Sequence, residues 1–149
     1  MGHIAKTVLK HNGEVIGIMP EYLVKMEVAF PEITELRIVK TMHERKAMME
    51  DLSDAFIAMP GGFGTFEEIF EMITWAQLQL HMKPCGFLNT LGFYDKLLDF
   101  IEHAVSERFI NEQDKKIIQT SVNSEELIAK LQNYSPVKVD KAFFAKANT

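Results

Sequence analysis

The sequence predicts an α/β chain built on a parallel sheet, and three observations predict it. Short apolar runs of four to six residues recur along the chain, the length of buried strands. Between them lie longer stretches with apolar residues at helical spacing, and strands alternating with helices close most readily as a parallel, layered sheet. Proline, glycine and Thr-x-x-Glu or Asn-x-x-Glu patterns punctuate the boundaries.

Residues 1–10 carry Ile4, Ala5, Val8 and Leu9 at helical spacing and end on His11-Asn12-Gly13, a helix stop. Residues 14–19 read as a strand stopped by Pro20, and 21–34 as a loop with a turn of helix. Glu27 falls in that loop, past the strand's C-terminal end. Residues 36–40 form a second strand. Thr41-x-x-Glu44 has capping-box spacing and opens a helix over 42–52. Arg45 and Lys46 stand at the end of its first turn, where the helix dipole disfavours cations by a few tenths to about 1 kcal/mol. A cation held there is explained by an ion pair, or by an anion that has to be bound.

Residues 54–59 read as a buried strand leading into Pro60-Gly61-Gly62-Phe63-Gly64-Thr65-Phe66-Glu67-Glu68, the stretch with the most chemical content. Three glycines in four positions permit positive φ and close approach of a ligand to the main chain. The helix that follows, over 66–81, offers unpaired N–H groups and a partial positive charge to an anion such as phosphate. Thr65-x-x-Glu68 again fits a capping box. Glu68 is therefore either a cap or a carboxylate that faces a ligand held by the loop. A Walker loop is excluded because no lysine follows Gly64, and the dinucleotide fingerprint because Glu67 stands where it needs glycine or alanine.

In the helix after the loop, Phe66, Ile69, Phe70, Ile73, Ala76 and Leu80 make one apolar stripe and Met72, Trp75 and Leu78 a second. So wide an arc asks for a second cover, by the same monomer or by a partner subunit. Residues 84–89 form a further strand and Thr90-Leu91-Gly92 a turn. A helix over 93–109 follows, with Leu97, Phe100, Ile101, Ala104 and Val105 inward. Residues 117–121 form a last strand, and Asn123-x-x-Glu126 caps a helix carrying Leu127, Ile128 and Leu131. The pattern dissolves after Tyr134. The domain is thus 1–134, with 135–149 a tail. In parallel sheets ligands bind beyond the C-terminal strand ends. Glu27, Arg45 and the 61–68 loop all follow strands, so they are expected on one such edge.

At 149 residues and 47% hydrophobic content the chain suffices for one core. A net charge of −5 without a basic stripe argues against nucleic acid as a partner. The single cysteine, Cys85, lies in an apolar run, which rules out an internal disulfide and suits a reducing compartment. No signal pattern or membrane-length apolar run is present, so the expected location is cytoplasmic. The histidines at 3, 11, 43, 81 and 103 lack zinc-ligand spacing, and no metal is expected.

Met42-His43-Glu44-Arg45-Lys46 together with the Pro60 to Glu68 stretch, and then Ile73-Thr74-Trp75-Ala76-Gln77-Leu78 and Lys83-Pro84, resemble the LOG ("Lonely Guy") family of cytokinin riboside 5′-monophosphate phosphoribohydrolases. The resemblance implies a Rossmann-like parallel sheet with helices on both faces, here lacking the family's first strand-helix-strand segment and its glycine-serine turn. It implies hydrolysis of the N-glycosidic bond of a nucleoside 5′-monophosphate, AMP or a cytokinin nucleotide, to an adenine-type base and ribose 5-phosphate. Arg45 and Glu68 correspond to the catalytic pair. The loop from Gly61 through Gly62, Phe63, Gly64 and Thr65, with Glu67, corresponds to the phosphate cradle, and Glu27, Lys46 and Thr74 to residues that line the substrate. No cofactor is implied, and a homodimer or larger assembly is.

Two other classes compete: a protein that binds a nucleotide or phosphoryl ligand without chemistry, and an inactive truncated remnant that dimerises through its Trp75 face. Older family members carry the label lysine decarboxylase, but that chemistry needs a pyridoxal Schiff-base lysine, and no His-Lys pair sits in a suitable turn.

Overall fold

A computed structural model describes residues 2–26 and 33–137. The chain divides into two compact units, residues 1–53 and 54–149. Both are α/β with parallel strands, as the alternation of the sequence predicts.

In the first unit, α1 (Gly2–Lys10) is followed by β1 (Ile16–Pro20), α2 (Glu21–Lys25), β2 (Glu35–Val39) and α3 (Met42–Leu52). β1 and β2 pair in parallel, from Ile16 opposite Glu35 to Pro20 opposite Val39. Pro20, which has no N–H to give a ladder, is tolerated as the last residue of its strand and is fully buried there. The start of α3 is the one its sequence pattern predicts. Thr41 Oγ1 accepts from the Glu44 N–H at 3.1 Å, and Glu44 Oε2 reaches back to the Lys40 N–H at 2.7 Å.

The second unit runs β3 (Phe56–Ala58), α4 (Phe63–Gln77), β4 (Cys85–Leu88), a 3₁₀ turn (Thr90–Gly92), α5 (Asp95–Ser106), α6 (Glu112–Lys115), β5 (Ile118–Ser121) and α7 (Ser124–Gln132). The sheet order is β3-β4-β5, all parallel, with β4 central. Cys85 and Phe87 of β4 are wholly buried in a core with Ile69, Met72 and Ala76 of α4 and with Tyr94. Burying a side chain the size of Phe87 contributes roughly 2–3 kcal/mol, so this cluster dominates the unit. The alternate β4 residue, Gly86, faces α7: a Cβ there would stand 3.0 Å from Leu127 and 3.3 Å from Leu131. Helices therefore cover both faces of this sheet.

The structure departs from the sequence reading in several places. The helices expected to reach 81 and 109 stop at Gln77 and Ser106, because Gln79 and Arg108 take left-handed φ of 60° and 65°. The following amides, Leu80 N–H to Trp75 O and Phe109 N–H to Ala104 O, both at 2.9 Å, complete Schellman closures. α1 ends the same way through Asn12, at φ 59°, so Asn12 and not Gly13 is the left-handed residue. Phe100, expected inward, is 65% exposed, while Ile101 carries the contact at 4%. Ile57, expected in a buried strand, is 44% exposed on the outermost strand of its sheet. Met72 and Trp75, read as a second stripe, are taken up by the unit's own core, with Leu78 left exposed.

Candidate active site

The glycine loop connects β3 to α4, and its geometry corrects the sequence reading at one decisive point. α4 begins at Phe63, three residues earlier than expected, with Gly62 as its N-cap residue and no side chain capping it. Phe66 N–H donates to Gly62 O at 3.1 Å, which makes that bond the first of the helix. Thr65 is thus inside the first turn. It is not the cap, and Glu68, the sixth helical residue, is not the partner of a capping box. Nor do the loop glycines supply positive φ: among the described glycines only Gly92 has it, and Gly62 sits at φ −101° and ψ −154°.

The glycines serve close approach instead. A Cβ on Gly61 would run into Thr65 Oγ1, so this glycine lets the chain fold against the first turn. Cβ atoms on Gly62 and Gly64 would meet nothing within 4 Å, and both residues are exposed. The first N–H groups of an α-helix have no carbonyl four residues back. Here they open onto space that glycine leaves empty. Phe63, between the two glycines, is 92% exposed.

Glu68 follows Gly64 by four residues, so the two share a helix face. Helical Cα–Cβ bonds tilt toward the N-terminus, so Glu68 belongs to the face on which Gly64 has no side chain. Glu68 is half-buried, Glu67 exposed. Thr74 lies eleven residues beyond Phe63, roughly 16 Å along the axis at 1.5 Å per residue. It is exposed, and its hydroxyl donates to Phe70 O at 2.7 Å. The structure therefore brings Gly61 to Thr65 together with Glu68 and leaves Thr74 apart from them.

In the first unit, Arg45 and Lys46 stand on α3 directly after β2. Arg45 is half-buried, with Nη1 3.9 Å from Met42 Sδ and Nε shut off from solvent. Lys46 is only 6% exposed. A half-buried guanidinium and a buried ammonium near the N-terminus of one helix are an arrangement that desolvation and the helix dipole both oppose. Glu27 lies outside the described residues. Among the described residues no group of acidic, histidine or cysteine side chains forms a metal site.

The sequence reading passed over Asn89 and Tyr94. Asn89, 8% exposed, directly follows β4, and its N–H donates to Ser121 O at 2.8 Å. Its Nδ2 donates to Asp95 Oδ1 and its Oδ1 accepts from the Tyr94 N–H, both at 2.7 Å. The Tyr94 hydroxyl in turn donates to Met59 O, at the mouth of the glycine loop. The available signal was a polar residue at the end of an apolar strand. A cavity of about 420 Å³ lies elsewhere in this unit, lined by Leu98, Ile101, Glu102, Lys115 and Ile118 among others and by none of the expected site residues.

A family model described as possible lysine decarboxylase matches residues 1–131. The chain belongs to that family, the LOG family. The cytokinin riboside 5′-monophosphate phosphoribohydrolase LOG of Oryza sativa subsp. japonica is 49% identical over 136 residues, 91% of this chain and 56% of that protein. Two Arabidopsis thaliana proteins with the same phosphoribohydrolase name are 46% and 47% identical over 136 residues, covering 64% and 63% of their lengths. The chain thus spans 56–64% of the length of these curated LOG relatives. The loop, Arg45 and Glu68 all fall inside the segment matched by the family model.

Proposed function

We propose that this chain hydrolyses the N-glycosidic bond of a nucleoside 5′-monophosphate, AMP or a cytokinin nucleotide, releasing an adenine-type base and ribose 5-phosphate. The observation that carries the reading is the N-terminus of α4, which no side chain caps and where Gly62 and Gly64 leave open space, with Glu68 one turn beyond Gly64, in a LOG-family chain whose relatives are named for this reaction. Main-chain N–H groups of residues 62–65 anchor the phosphate and so fix the ribose. Cleavage passes through an oxocarbenium-like state, and the Glu68 carboxylate stabilises the positive charge that grows on the sugar. The C1′–N bond breaks with its electron pair going to the base, water supplies the hydroxyl that bonds C1′, and its remaining proton ends on the base nitrogen. Arg45, permanently charged, offsets negative charge on the leaving base and is not its proton donor.

Glu27, Lys46, Glu67 and Thr74 are assigned to the substrate by the resemblance. The family match runs across both units, which supports treating residues 1–134 as one hydrolase domain with a tail at 135–149. Exposed Leu78, Leu80 and Met82, just beyond α4, give a second copy of the chain an apolar surface to cover and support a homodimer. No helix of the described residues is long and apolar enough to cross a membrane. A lone buried thiol is the cysteine usage of a reducing compartment and supports a cytoplasmic setting.

The test is chromatography after incubation with AMP or a cytokinin nucleotide. Free base and ribose 5-phosphate in equal amounts are expected. Unchanged substrate with folded protein would overturn the proposal.

A further inference from the structure

The second unit's core is lined by phenylalanines at 66, 70 and 87, and one aromatic residue among them carries a hydroxyl. Tyr94 is 1% exposed. Its ring meets Phe87 of β4 and Phe93 edge-on, both at 4.9 Å between centroids, and Phe66 in the first turn of α4 at 6.3 Å. Packing alone would be served by another phenylalanine, because a buried hydroxyl has to be paired or it costs stability. Here it is paired with a main-chain carbonyl, Met59 O, which lies just past the end of β3 and two residues before the glycine loop.

We propose that Tyr94 is a positioning residue for the glycine loop: by holding the Met59 carbonyl, it sets the direction in which the main-chain N–H groups of residues 62–65 meet a substrate phosphate. The inference rests on the function proposed above. Pro60, next in sequence, has its φ fixed by its ring, so a fixed Met59 carbonyl leaves the entry to the loop little freedom. Tyr94 is itself fixed from the far side. Its N–H is held by Asn89 Oδ1 at 2.7 Å, and the Asn89 N–H is held by Ser121 O at 2.8 Å at the end of β5. One side chain thereby refers the loop after β3 to the ends of β4 and β5. An N-terminus that no side chain caps depends on such a reference, because nothing in its own sequence holds the first turn at the angle a phosphate needs.

The test is Tyr94→Phe in the full chain, which removes the hydroxyl and keeps the ring. Binding of ribose 5-phosphate and of adenosine is measured by calorimetry, and KM and kcat with the nucleotide. Ribose 5-phosphate affinity is expected to fall about tenfold, the size of effect that loss of one buried hydrogen bond produces, with KM rising alike and adenosine binding unchanged. Amide exchange at residues 61–64 is expected to quicken while that of β4 stays slow. Equal losses for both ligands, an unfolded variant, or no change in a wild type that turns substrate over would each overturn the inference and leave the function standing. A wild type that binds ribose 5-phosphate without turnover overturns the function, while the Tyr94→Phe binding ratio still decides the inference. A wild type that binds neither ligand overturns both.

Discussion

Helices α3 and α4 each follow a parallel strand and each carry Thr-x-x-Glu near their start, yet only α3 uses the pattern on its own N-terminus. In α3 the Thr41 hydroxyl takes up the Glu44 amide of the first turn at 3.1 Å, and the Glu44 carboxylate holds the Lys40 N–H just before the cap at 2.7 Å. In α4 the helix starts two residues before its threonine, the cap position is a glycine, and no side chain caps it. The same four-residue spacing thus yields a structural cap in one place and in the other sets its glutamate in the second turn, away from the cap position. Register relative to the strand decides between them.

The sharpest way to break this comparison is to make the same change in both glutamates. Glu68→Gln is expected to lower kcat roughly 10²- to 10³-fold, the loss typical of removing one electrostatic stabiliser of the transition state, with ribose 5-phosphate binding retained. Glu44→Gln should leave kcat within about twofold, because a neutral amide oxygen still serves as the acceptor in a capping box. Equal effects from the two substitutions, read in steady-state kinetics, would erase the distinction.

Gly64→Ala separates stability from binding. The backbone φ is not left-handed and a Cβ meets no neighbour, so the protein accepts the methyl group. Alanine is favoured over glycine in a helix by up to about 1 kcal/mol, and the melting temperature should rise slightly. The methyl group nonetheless stands in the space kept for the anion, so ribose 5-phosphate affinity should fall about tenfold or more. A variant that gained stability at no loss of affinity would remove the anion site from this turn.

How far the sequence reveals these features depends on what decides each one. The start of α3 was legible because a local hydrogen bond fixes it. That of α4 was not, because local preference argues against a helix that takes Gly64 into its first turn at a cost near 1 kcal/mol. Tertiary packing overrides it: starting at Phe63 carries Phe66 onto Tyr94 and Ile69 into the core. The C-terminal ends of α4 and α5 were hidden for a related reason. Gln79 and Arg108 hold the left-handed positions that glycine usually marks, and nothing in either side chain announces it. α6 has no apolar period to read. It is set by the Asn111 cap on the Gln113 amide at 3.0 Å and by Asp114, whose Oδ2 accepts from Gln77 Nε2 at 2.7 Å across a separation of 37 residues. Of the candidate site, the placement of the glycine loop after a strand was legible. The support from Asn89 and Tyr94 was not, since it exists only once three strand ends are side by side.

Thr41→Ala sharpens the comparison from the capped side. Removing a threonine cap costs about 1 kcal/mol, which for a chain of this size lowers the melting temperature by a few degrees. Thr65→Ala removes no cap bond. It should therefore cost less than Thr41→Ala in the same melt, and a reversed order would mean that Thr65 supports α4 in a way its place in the first turn does not explain.

The smallest effect is expected at a third helix start, where the acid's own titration reports closure. Asn123 Oδ1 caps α7 through the Glu126 N–H at 3.0 Å. The Glu126 carboxylate is engaged by Lys130 at 2.7 Å and by the Ser121 hydroxyl at 2.7 Å. The hydrogen bond from Lys130, and after it that from Ser121, hold its pKa below the ordinary value of 4.5. A carboxylate whose folded value is depressed adds stability above the unfolded value, and that stability is lost as pH falls through the folded one. Melting temperature should therefore drop slightly below pH 4.5 in the wild type and less in Glu126→Gln. Because the pair is exposed, the difference should shrink in high salt. An acid limb identical in the two proteins would show that this helix end, unlike that of α3, gains nothing from its glutamate.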